Sequence, residues 1–149
     1  MRHTFLLEPG HWSVSGNYFD REGKKLAVDG TTEISHGPTS WASEGELHVG
    51  DDGEQVLANH YEIAPMPDGV DHTTWVCSDP VEGPIRGAIT VVDDCVISSF
   101  RAESTDYHGV DVLRKAKGDY RSRGFAMRGA AKLSSWVLTI TKSNDKKTQ

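Results

Sequence analysis

The chain has 149 residues, 26% of them charged, and a formal charge of -6. That length suits one domain that buries its own core, and the acidic balance argues against a general nucleic-acid binder, which needs a basic face for phosphates. No apolar run approaches the roughly 20 residues of a spanning helix, and the apolar stretch in MRHTFLLEPG is too short for a secretory leader, so the expected address is the cytoplasm.

From His11 onward apolar residues recur with period two. The segments are HWSVSGNYF (11–19), KLAVDGTTEI (25–34), SWASEGELHV (40–49), EQVLANHYEI (54–63) and DHTTWVC (71–77). They continue with PIRGAITVV (84–92), CVISSFRAE (95–103), HGVDVLRKA (108–116), DYRSRGFAM (119–127) and KLSSWVLTIT (132–141). Such alternation reads as half-buried strands, and no segment carries a sustained helical period. Residues 1–142 are therefore expected to form one barrel domain and 143–149 a disordered polar tail.

The connections test this reading. REG (21–23), DDG (51–53) and AKG (116–118) each place Gly third, which suits a three-residue hairpin loop with a left-handed glycine. These loops set Tyr18 opposite Leu26, Val14 opposite Gly30, Leu47 opposite Leu57 and Arg114 opposite Tyr120. Asp93-Asp94 reads as a two-residue turn that sets Val91 against Val96 and Gly87 against Phe100. In each case the apolar faces coincide, so turn chemistry and strand pattern agree.

Gly16, Gly30, Gly45, Gly87 and Gly124 all fall inside strands on the interior face. Sharp coiling of a closing sheet accounts for such glycines, and so does room left for a ligand. Short sequential connections favour neighbour pairing. The expected fold is all-β, a single up-and-down antiparallel barrel of about ten strands.

Gly10-His11-Trp12 stands where lipocalins carry G-x-W on the first barrel strand. On this motif and the strand pattern the chain resembles a calycin, the superfamily of lipocalins, fatty-acid-binding proteins and nitrobindin-like barrels. The resemblance implies a cation from near the chain end packed over Trp12, with Arg121, Arg123 and Arg128 as the open choices. It does not extend to a disulfide, since only Cys77 and Cys95 are present without C-x-x-C spacing. Nor does it carry over haem binding through a late His, since the last His is His108. Calycins share little chemistry, so the fold leaves the function, any cofactor and any enzymatic activity open.

With this register, the polar residues Tyr18, Asn59, Tyr61, Ser98, Arg114 and Tyr120 face the interior among Trp41 and Phe100. A mostly apolar wall with a few convergent polar groups is how a small-ligand site looks. Arg114, turned inward opposite Tyr120, would pair with a ligand carboxylate, as the fatty-acid-binding resemblance implies. The histidines show no metal-ligand spacing, so no metal site is expected. The leading expectation is a barrel holding a small apolar or amphipathic ligand with an acidic head. Alternatives are a cofactor-free cyclase, isomerase or decarboxylase in the same cavity, and an interaction protein with a filled barrel. Outward Phe19, Val76 and Phe125 would then need cover, which a homodimer supplies.

Overall fold

The period-two segments all become strands in the computed structural model, which describes residues 2–143. In chain order they are β1 (Gly10–Phe19), β2 (Lys25–His36), β3 (Trp41–Val49), β4 (Gln55–Ile63) and β5 (His72–Asp79). Then come β6 (Gly83–Val92), β7 (Cys95–Ala102), β8 (Tyr107–Ala116), β9 (Asp119–Arg128) and β10 (Ala131–Lys142). Each strand pairs antiparallel with the next, and β1 pairs with β10 to close the barrel. This is the up-and-down architecture expected from the strand pattern and the short connections. Of the expected tail, residues 144–149 lie outside the described residues.

Three of the four expected turns hold. Tyr18 faces Leu26 and Val14 faces Gly30 across β1–β2, and Leu47 faces Leu57 across β3–β4. Val91 faces Val96 and Gly87 faces Phe100 across β6–β7. The β8–β9 turn is different. Lys117 takes a left-handed φ of 63°, and the loop closes on Lys117 and Gly118 alone, pairing Ala116 with Asp119. Arg114 therefore lies opposite Arg121, and Lys115 opposite Tyr120.

One residue of slip turns a whole strand over. On β8, Gly109, Asp111 and Leu113 point inward, while Val110, Val112 and Arg114 point outward. The neighbouring strand supplies the reason. Phe100 of β7 lies inside the barrel directly across from Gly109, and a Cβ on Gly109 would stand 2.4 Å from its Cζ. A branched side chain at that place has no room, so the glycine must be the inward residue.

The interior glycines do not hollow the barrel. A Cβ on Gly87 would meet the Trp75 indole at 2.0 Å, and one on Gly124 would meet the Trp136 indole at 2.4 Å. Each of these glycines makes space for a tryptophan reaching over from the adjacent strand. At Gly16, Gly30 and Gly45 the neighbouring backbone itself stands at 2.0–2.2 Å from the Cβ position, the mark of tightly coiled strands. Of the two readings of these glycines, coiling of the sheet fits Gly16, Gly30 and Gly45, while Gly87 and Gly124 give way to tryptophans rather than to a ligand.

Residues 2–9 fold into one end of the barrel. Leu6 and His3 are buried there, and the Phe5 ring meets Trp12 edge-on at 5.2 Å. Trp12 is fully buried. The cation over its ring is Lys142, with Nζ 5.2 Å from the ring centroid, and not one of the three arginines. Arg121 bonds Thr139, Arg123 donates to the Ser122 carbonyl, and Arg128 crosses to Glu82. At the opposite end Glu82 accepts from Arg128 at 2.5 Å and from Thr105 at 2.8 Å, which ties two loops to the end of β9. Arg128 holds the Glu82 carboxyl below the usual carboxylate range.

Candidate functional site

The wall is continuous except between β4 and β5. Those strands pair only at Glu62–Val76 and Ile63–Trp75, extended by Ala64 N–H donating to the Thr74 carbonyl at 2.9 Å. Beyond that point they splay, leaving Gln55–Tyr61 of β4 and Cys77–Asp79 of β5 without partners across the seam. The interior is hollow and communicates with this gap. Counted with the outer-face strip of Glu33, Glu44, Glu46 and His60 that it runs onto, the cavity measures about 1070 Å³, with Phe5 and Leu6 as floor, aliphatic residues such as Ile34, Ile89 and Ile140 along the inner wall, and Asn59, Cys77 and Asp79 near the opening.

Halfway up stands a chain of aromatic rings. Tyr61 meets Trp75 edge-on at 5.0 Å, Trp75 lies 6.3 Å from Phe100, and Phe100 lies 5.7 Å from Tyr107. Trp75 donates Nε1–H to Ser98 Oγ at 2.9 Å. Directly across from Ser98 on β8 is Asp111. Asp111 Oδ1 accepts from Ser122 Oγ at 2.7 Å and from Trp136 Nε1–H at 2.9 Å. Asp111 is enclosed by the barrel while its carboxyl borders the void. Burial pushes its pKa up, and the bonds from Ser122 and Trp136 only partly oppose that. Burial also raises the Tyr61 phenol, and pushes Tyr107 up to about 12.

Four of the expected site residues line this void: Asn59, Tyr61, Ser98 and Phe100. The other four do not. Tyr18 is half-buried and stacks on Trp136 at 6.2 Å. Trp41 stacks on His36 at 3.7 Å, and His36 Nε2 donates to the Leu6 carbonyl at the plugged end. Tyr120 is fully buried in that plug, where its hydroxyl lies 2.9 Å from His3 Nδ1 and accepts from Thr4 N–H at 3.1 Å. Since His3 Nε2 faces the Asp93 carbonyl at 2.7 Å and must donate there, the neutral ring accepts at Nδ1 from Tyr120. Arg114 is outside, 71% exposed, with Nε donating to Asp94 at 2.9 Å. The acid-binding role expected of Arg114 with Tyr120 falls with the β8 register.

Asp111 is the residue that the sequence reading missed. Its place in the alternation between Val110 and Val112 suggests an outward carboxylate, and only Gly109 and Leu113 hinted at the opposite phase. Among the described residues no group of His, Cys, Asp or Glu is arranged to hold a metal ion. Cys77 and Cys95 are free thiols. No helix among the described residues is long and apolar enough to cross a membrane.

No family model and no curated protein sequence matches the chain. Among solved structures it is similar to the S-type phycobiliprotein lyase CPES from Guillardia theta, at 11% identity and a TM-score of 0.49, over 94% of this chain and 91% of that one. It is also similar to a mutant of the fluorescent protein UnaG, at 9% identity and a TM-score of 0.48, over 95% of this chain and 99% of that one.

Proposed function

We propose that the barrel binds a small, largely apolar ligand in its interior, admitted through the gap between β4 and β5. The observation that carries this is the hollow interior behind the gap, part of a cavity of about 1070 Å³, whose inner wall is mainly aliphatic and aromatic. A filled barrel acting through its outer face has less support, because that space is open to the interior. Exposed Val76 and Phe125 leave a homodimer as a proposal about the outer face, separate from the cavity.

A second reading is catalytic proton transfer in the same cavity. It rests on Asp111, an enclosed carboxyl with a raised pKa beside a row of aromatic rings that ends in the phenols of Tyr61 and Tyr107, the combination expected of a general acid or base. Native mass spectrometry of the freshly purified chain separates the readings. A co-purified small molecule, or one-to-one uptake of an uncharged apolar probe such as Nile red with quenching of tryptophan emission, supports binding. Absence of both overturns it. Recovery of a chemically changed molecule would favour the enzyme.

A further inference from the structure

We propose that the ligand carries a cationic or N–H-donating nitrogen on its apolar body, and that this nitrogen seats on Asp111. The inference rests on reading the cavity as a ligand site. Among the described residues lining the void there is no Lys or Arg. His11 and His60, at its margin, lie on the outer face and pair with Glu33 at 3.3 Å and Glu44 at 3.5 Å. The interior charge is therefore acidic and has no basic counterpart within the wall.

The hydrogen bonds point the same way. Both indole N–H groups that flank the site are committed to the wall, Trp75 to Ser98 and Trp136 to Asp111. The two side-chain donors to Asp111, Ser122 and Trp136, converge on Oδ1, and the Val112 backbone N–H adds a third bond to the carboxyl. The carboxyl borders the void with acceptor capacity beyond these bonds, and in a low-dielectric cavity a charge-assisted partner is strongly favoured there. The rings of Trp75, Tyr61 and Phe100 line the same void and supply electron-rich surface that a cation tolerates better than an anion. A ligand carboxylate would meet repulsion at the same place.

Three probes of one shape test this on the full chain: 2-naphthylmethylamine, 2-naphthylmethanol and 2-naphthoate, titrated calorimetrically at neutral pH. The amine should bind at least about tenfold more tightly than the alcohol, as expected for one charge-assisted bond, and the naphthoate should bind most weakly. Asp111→Asn keeps an acceptor for Ser122 and Trp136, and should bring the amine to within about threefold of the alcohol. Equal or tighter binding of the alcohol or the naphthoate by the unsubstituted chain overturns the proposal, whether or not the variant folds. An amine preference that survives Asp111→Asn in a folded variant also overturns it. If none of the three probes binds, the ligand-binding reading itself fails.

Discussion

Asp111 is the carboxyl that burial perturbs inside this barrel. In the unfolded chain its carboxyl has an ordinary value near 3.8, and in the fold burial raises it. The folded state therefore holds the proton more tightly, so this group's contribution to stability is complete below 3.8 and is lost as pH rises through the raised value. Asp94 and Glu82 act in the opposite sense. Arg114 and Arg128 hold them below their ordinary values, so their stabilisation is present at neutral pH and is lost on acidification. Asp111→Asn isolates the first effect. In the ligand-free protein the variant should be more stable than the parent at pH 7, and the difference should shrink steadily as pH falls towards 3.8. Urea unfolding at a series of pH values measures it. A variant less stable than the parent at pH 7 would show that Ser122 and Trp136 compensate the ionised carboxylate fully.

At the scale of elements, the seam between β4 and β5 separates a closed ladder from an open one. A strand in a sheet points alternate amides to its two neighbours. From Gln55 to Tyr61 the β4 amides directed at β3 are paired, and those directed at β5 are not. Hydrogen exchange should therefore alternate along β4, with every second amide of 55–61 exchanging rapidly. The amides of β8 and β9, paired on both sides, should be uniformly protected. Uniform protection of β4 would mean that the seam is closed in solution, and the proposed way in for a ligand would be lost.

The strands themselves were legible because period two is a local property. Every segment of alternating residues became a strand, and the turns at Glu22, Asp52 and Asp93-Asp94 set the registers that the residue types implied. The β8–β9 hairpin was not legible in the same way. Ala116-Lys117-Gly118 fits a three-residue loop with glycine left-handed, yet Lys117 adopts the left-handed φ instead. The apolar pattern on β8 offered no correction, since Val110 and Val112 make as plausible an inner face as Gly109 and Leu113. What decided between them was the bulk of Phe100 on the neighbouring strand, a contact between residues of β7 and β8 that exists only once both are paired.

For the whole molecule, a ligand that binds only the folded barrel stabilises it by mass action. At a free concentration about a hundred times its Kd the gain is about 2.7 kcal/mol. For a domain of this size each kcal/mol moves Tm by roughly 2–4 °C. A saturating cavity ligand should thus raise Tm by roughly 5–10 °C, which differential scanning calorimetry reads directly. A bound probe that leaves Tm unchanged would sit on the surface, or would bind the unfolded chain equally well.

By itself the sequence determined the class of this protein: all-β, antiparallel, neighbour paired to neighbour, with Trp12 in the core. Alternation and turn chemistry act over a few residues and need no knowledge of the rest of the chain. Only the tertiary structure decided the sign of the charge inside. Closing the barrel forces each strand to match both neighbours at once, and on β8 that demand overrode the local pattern, sending Arg114 out to Asp94 and bringing Asp111 in beside Ser122 and Trp136. The void has the same origin. It depends on where Trp75 and Trp136 lie over their glycines and on where β4 parts from β5, and both are set by packing between neighbouring strands that exists only once they are paired.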